Sequence, residues 1–153
     1  MSLDVKFKTI SPKHVLSATF HTTVSGLDPK IRQTLRTMEG LIKEQNVDPS
    51  GPPFGIYHGP INKEEDGPIE ICLPVRGSAH GEGEISFKQL FGGNAASVTL
   101  FGEQCDFPAI LKGYDAIAEW IDENGYRKSG APREIWHTKP GPDMKMEIVW
   151  FVR

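Results

Sequence analysis

At 153 residues, with 24% charged and 38% hydrophobic side chains, the chain can bury a sizeable core as one domain or as two packed half-domains. Its net charge of −3 argues against a basic nucleic-acid-binding surface, so no direct DNA contact is expected, and no apolar run of about twenty residues is present to span a membrane. The first residues lack the apolar segment of a signal peptide, and Cys72 and Cys105 lack CxxC spacing, so reduced thiols in a cytoplasmic protein are expected.

In chain order, residues 5–9 alternate apolar and polar side chains and predict a first strand. Ser11-Pro12-Lys13 turns the chain, and the β-branched residues 14–24 predict a second strand, ended by Gly26. Asp28-Pro29 supplies an N-cap and a proline at the first helical position. Ile31, Leu35, Met38, Leu41 and Ile42 then follow at helical spacing, which predicts an amphipathic helix over residues 29–45. Asn46 and the proline-rich residues 48–53 stop it. Residues 54–58 and 69–75 read as the third and fourth strands, with an acidic hairpin loop over 62–67. The glycines of residues 77–83 read as a flexible linker, since GxGxxG is incomplete and no helix follows.

Residues 85–90 and 95–101 predict two more strands around a turn at Phe91-Gly92-Gly93-Asn94. A second helix opens at residues 106–108, carries Ile110, Leu111, Tyr114, Ile117, Trp120 and Ile121 at helical spacing, and closes at Asn124-Gly125. The short strand around Glu134 follows, then a turn at residues 140–142 and a last strand over 146–152.

This order occurs twice. Phe7-Lys8 matches Phe87-Lys88, and Ser17 and Thr19 match Ser97 and Thr99, at an offset of 80. Ile31, Leu35, Met38 and Ile42 match Ile110, Tyr114, Ile117 and Ile121 at 79. Pro53-Phe54-Gly55-Ile56-Tyr57-His58 matches Pro132-Arg133-Glu134-Ile135-Trp136-His137 at 79, and Ile69-Glu70-Ile71 matches Met146-Glu147-Ile148 at 77. The expected fold is therefore α+β: tandem duplicated β-β-α-β-β units, about residues 4–76 and 84–153. A pseudo-two-fold would relate them, with a curved antiparallel sheet, two helices and a ligand cleft between the repeats.

Glu134 and Trp136 share a face of their strand, and a carboxylate beside an indole can receive a flat cation. Glu134 reads either as that site or as a sheet-edge carboxylate paired with Arg133 or Lys139. Trp136 reads as pocket wall or as core. By the repeat, Gly55 and Tyr57 take the facing positions, and Gly55 leaves space opposite Glu134. Leu35 and Tyr114 occupy equivalent helix positions, as core or as pocket lids. Glu147, like its counterpart Glu70, interrupts an apolar strand and reads as a second pocket acid, a structural hydrogen-bond acceptor or a solvent-facing residue. His58 and His137 are repeat-related, but no carboxylate or cysteine stands at ligand spacing, so no metal and no cofactor are expected. No GxSxG nucleophile motif is present.

Leu90-Phe91-Gly92-Gly93-Asn94-Ala95-Ala96 with Gly102, then Asn124-Gly125-Tyr126 and Pro132-Arg133-Glu134-Ile135-Trp136, resembles the "L-P-G-G-x-x-A … G" and "n-G-y … P-x-E-x-aromatic" segments of GyrI-like small-molecule-binding domains. These are also called AraC-type effector-binding or multidrug-sensor domains. Phe91 stands where proline is common. The resemblance implies an SHS2-like tandem pair of strand–helix–strand units around an aromatic-lined pocket, in which Glu134 meets lipophilic cations. It also implies a free-standing form, with no residues left for a helix-turn-helix. Three roles follow from it: a sensor or sequestering protein for amphipathic organic molecules, a hydrolase of cyclopropane-type electrophiles with Glu134 in an aromatic cage, or a gyrase-inhibitor-like modulator that binds a protein partner.

Overall fold

Hydrophobic alternation and helical spacing resolve into eight strands and two helices among residues 3–61, 67–139 and 141–153, the residues described in a computed structural model of the chain. Residues 62–66 of the acidic hairpin loop expected over 62–67, and the start of the turn at Pro140, lie outside them. The order is β1 (Val5–Ile10), β2 (Lys13–Thr22), α1 (Val24–Glu44), β3 (Phe54–Tyr57), β4 (Gly67–Pro74), β5 (Ser86–Leu90), β6 (Gly93–Phe101), α2 (Leu111–Glu123), β7 (Arg133–Trp136) and β8 (Lys145–Phe151). The fold is α+β, with antiparallel strand pairs and one helix against each sheet segment.

Two compact units form, and their limits differ from the expected repeats. The first is Pro12–Phe91; the second joins the residues through Ser11 to Gly92–Arg153. In the first, β2 lies between β4 and β5, and β3 pairs with β4. In the second, β6 lies between β1 and β8, and β7 pairs with β8. The opening strand of each sequence half thus pairs with the second strand of the other half: Lys8 stands opposite Ala95, and Lys88 opposite Val15. Repeat matching compares positions along the chain and contains no information about which strand edge a matched segment joins.

Each helix covers one face of its sheet. Met38, Leu41 and Ile42 of α1 pack on Leu16, Ala18 and Leu73, and Ile117 and Ile121 of α2 pack on Ala96, Val98, Leu100, Met146 and Ile148. Both helices end in the same way. Asn46 (φ 56°) and Gly125 (φ 73°) adopt the left-handed conformation. The next amides reach back, Val47 to the Ile42 carbonyl at 2.9 Å and Tyr126 to the Ile121 carbonyl at 3.0 Å, which satisfies carbonyls the helix end would leave unbonded. The starts differ from expectation. α1 begins at Val24 after Thr23 and carries Pro29 inside it, where the missing N–H removes one bond in the second turn. α2 begins later than residues 106–108, at Leu111, after a 3-10 turn over Gly102–Cys105 and a further turn closed by the Ile110 amide on the Asp106 carbonyl at 2.7 Å.

The glycine-rich segment after β4 is anchored. The Gln45 side chain makes two hydrogen bonds to the His80 backbone (2.8 and 3.0 Å), and Ala79 is buried in the core of the first unit. No helix among the described residues is long and apolar enough to cross a membrane.

Gly113 lets α2 approach its sheet closely. A Cβ there would stand 2.9 Å from Ile148 Cδ1 and 3.1 Å from Leu100 Cδ1. Gly113→Val should therefore overpack this contact and destabilise the protein by about 1–3 kcal/mol. Chemical denaturation of the variant measures the loss; unchanged stability would mean that α2 can move off the sheet freely.

Candidate functional site

The antiparallel register assigns the candidate residues to faces. Glu134 stands opposite Ile148 and Trp136 opposite Met146, both in the core beneath α2, so Glu134 and Trp136 share the helix-bearing face of the second unit, as strand alternation requires. Glu134 is only 8% exposed. From α2, the Tyr114 hydroxyl donates to Glu134 Oε2. The Tyr114 ring meets Trp150 of β8 edge to face, with centroids 6.2 Å apart at 89°. Trp150 in turn donates its Nε1 hydrogen to the Gly130 carbonyl at 3.0 Å, which fixes the indole. Trp136, Trp150, Tyr114 and Cys105 all pack on the same apolar core. Burial, then the negative charges of Asp106 and Glu134, push the Cys105 thiol pKa up, so this sulfur stays protonated and acts as a small apolar group. Sequence reading reached Tyr114, Glu134 and Trp136; it missed Trp150 because the repeat pairs that position with nothing aromatic in the first half.

Gly55, Tyr57 and Leu35 belong to the first unit. Gly55 stands opposite Ile71 and Tyr57 opposite Ile69, on the face that carries α1, and Leu35 packs against that unit's core. Within their own unit they hold the positions that Glu134, Trp136 and Tyr114 hold in the second.

Glu147 is opposite Ile135, one step out of phase with Glu134, and therefore projects from the other face of the sheet. There it is 6% exposed and fully engaged. Its Oε2 accepts from the Ser97 hydroxyl and the Lys8 ammonium, and its Oε1 pairs with His137 Nε2 at 3.0 Å. Glu70, 3% exposed, repeats the arrangement with Ser17, Lys88 and His58, the last at 2.7 Å. For both carboxylates burial works to raise the pKa. The lysine, serine and histidine contacts outweigh it and hold each group below its ordinary value. The geometry fits the structural hydrogen-bond reading of Glu147 and separates it from the Glu134 face. It also gives His58 and His137 a role as carboxylate partners. Among the described residues no group of three or more His, Cys, Asp or Glu side chains could hold a metal ion.

The profile of the GyrI-like small molecule binding domain matches residues 3–153. The chain belongs to this family. A search of curated proteins found no match. Among solved structures, the C-terminal domain of EcmrR superposes with a TM-score of 0.79 at 22% identity, covering 100% of this chain and 99% of that one. EcmrR in complex with DNA gives the same TM-score at 23% identity, and there the GyrI-like chain spans 57% of the longer chain's length. A hydrolase from Listeria innocua matches with a TM-score of 0.75 at 12% identity, covering 99% and 93%. SAV2435 bound to tetraphenylphosphonium matches at 0.60 and 11%, covering 99% and 94%. At these identities the likeness establishes the shared fold.

Glu147→Gln or Glu70→Gln leaves a lysine and a histidine without their anion and should cost about 2–3 kcal/mol. Because both folded-state pKa values are depressed, the stabilisation is complete above the ordinary glutamate value of about 4.3 and is lost as pH falls through the depressed folded value. Urea titrations from pH 7 to pH 3 should show wild-type stability declining at the acid end and a flatter profile in the Glu70→Gln/Glu147→Gln double variant. Parallel profiles would show that the two carboxylates do not carry the acid sensitivity.

Proposed function

We propose that the helix-bearing face of the second unit, around Glu134, Tyr114, Trp136 and Trp150, binds amphipathic aromatic molecules that carry a positive charge. The single observation behind this reading is a nearly buried carboxylate, oriented by a tyrosine hydroxyl and set among aromatic side chains. A carboxylate in such surroundings attracts a cation more strongly than it would in water, because the local dielectric is lower. The rings add cation–π attraction of about 0.5–2 kcal/mol and accept the ligand's apolar body. The family to which the chain belongs binds small molecules, and a protein of the same fold is known bound to tetraphenylphosphonium, a lipophilic cation. The role is that of a cytoplasmic sensor or sequestering module that recognises its ligand without contacting DNA itself.

The same Tyr114–Glu134 pair also supports a second reading. A carboxylate oriented by a phenol can take the proton of a water molecule as its oxygen bonds to an electrophilic ring carbon, and return that proton to the carbon released when the strained C–C bond breaks; a hydrolase of Listeria innocua shares this fold. The two readings differ in turnover.

Titration with tetraphenylphosphonium, followed by tryptophan fluorescence and calorimetry, should give saturable binding. Glu134→Gln should weaken it at least tenfold, and Tyr114→Phe should weaken it several-fold through lost orientation of the carboxylate. Binding indifferent to Glu134→Gln would remove the charge argument. Consumption of a cyclopropane-bearing electrophile by the wild type and not by Glu134→Gln would favour the hydrolase.

A further inference from the structure

We propose that Lys128 is a resident cation of this site. It holds the ring face of Trp150 that a ligand cation would take, so that cationic ligands bind by displacing it. The inference rests on the binding reading above and adds a residue that sets its selectivity.

The backbone places this lysine. Residues 127–129 zip against the end of the chain: the Arg127 amide donates to the Arg153 carbonyl at 2.9 Å, the Arg153 amide returns to Arg127 at 3.0 Å, and the Ser129 amide donates to Phe151 at 2.8 Å. Lys128 consequently stands opposite Val152, which is buried in the α2 core, and shares its face of the sheet with Trp150. Its ammonium lies 4.3 Å from the Trp150 ring centroid, within cation–π range. The ring itself is held by the Gly130 carbonyl on one side and by Tyr114 on the other, and Tyr114 is the residue that bonds Glu134. Lys128, Trp150, Tyr114 and Glu134 thus form one continuous series of contacts.

The lysine is exposed on a flexible stem while the indole is fixed. The ammonium is therefore the member of the pair that can leave. A ligand cation recovers the ring contact that Lys128 surrenders and gains Glu134 as well. A ligand that reaches only the ring gains nothing over the lysine already there. Lys128 in this way favours ligands large enough to engage both groups.

Tetraphenylphosphonium is titrated into the wild type and the Lys128→Gln, Lys128→Arg and Arg127→Gln variants, with Glu134→Gln alongside. Removing the resident cation should tighten binding about two- to fivefold in Lys128→Gln. Lys128→Arg, which retains a cation for the ring, should bind as the wild type does. Arg127→Gln removes the same charge from the neighbouring position and should change affinity by less than Lys128→Gln does. In NMR spectra of the wild type, the Lys128 Hε resonances should be shifted upfield by the indole and should move downfield as ligand saturates. Unchanged or weaker binding in Lys128→Gln, with Glu134→Gln still defective, would overturn the role of Lys128 and leave the binding reading standing. Equal tightening in Arg127→Gln would replace ring occupancy with bulk charge and also overturn it. No binding by any variant would overturn the binding reading and this inference together.

Discussion

A carboxylate buried in a β-sheet has to find a cation and hydrogen-bond donors, and that requirement runs through the strand pairing of this protein. Glu70 and Glu147 each interrupt an apolar strand, and each is nearly inaccessible. Unpaired, either would carry a desolvation cost of several kcal/mol. Each is answered by a serine from the neighbouring strand, a histidine just beyond the adjacent short strand and a lysine from an opening strand. The lysine comes from the other half of the sequence in both cases: β1 carries Lys8 to Glu147, and β5 carries Lys88 to Glu70. Neither polar cluster is complete from its own half, which ties the exchange of opening strands to the burial of the two acids.

One residue step then separates two kinds of glutamate. Glu147 and Glu134 lie on adjacent paired strands, yet their registers differ by one, so they leave the sheet on opposite faces. Glu147 meets a serine, a lysine and a histidine and becomes part of the framework. Glu134 meets α2, a tyrosine hydroxyl and the tryptophan-lined core. The first arrangement fixes charge in place. The second holds a carboxylate next to rings that are only partly covered. Gly113 supports this geometry, since the close approach of α2 that it permits brings the adjacent Tyr114 down to the strand bearing Glu134.

The fold alone does not choose among activities. A DNA-bound regulator, a hydrolase and a protein bound to tetraphenylphosphonium share it at identities of 11–23%. In this chain an exposed lysine, Lys128, lies over the ring of Trp150.

Periodicity and spacing by themselves determined the element types, the two helix stops at Asn46 and Gly125, and the pairing of Glu134 with Trp136 on one face, because each depends on residues only a few positions apart. The offsets near eighty also named Lys8 and Lys88, Ser17 and Ser97, His58 and His137, Glu70 and Glu147 as corresponding residues. That these four types meet around one carboxylate in each unit was decided only by tertiary structure. A match along the chain says which residues correspond and is silent on which strand edge each segment joins. The same holds for the separation of Glu147 from Glu134, which hangs on a one-residue register between strands, and for Trp150 and Lys128, brought together by the pairing of residues 127–129 with the end of the chain. Local chemistry is written in neighbouring residues, whereas a site is assembled by long-range pairing, whose register depends on burying the whole sheet at once.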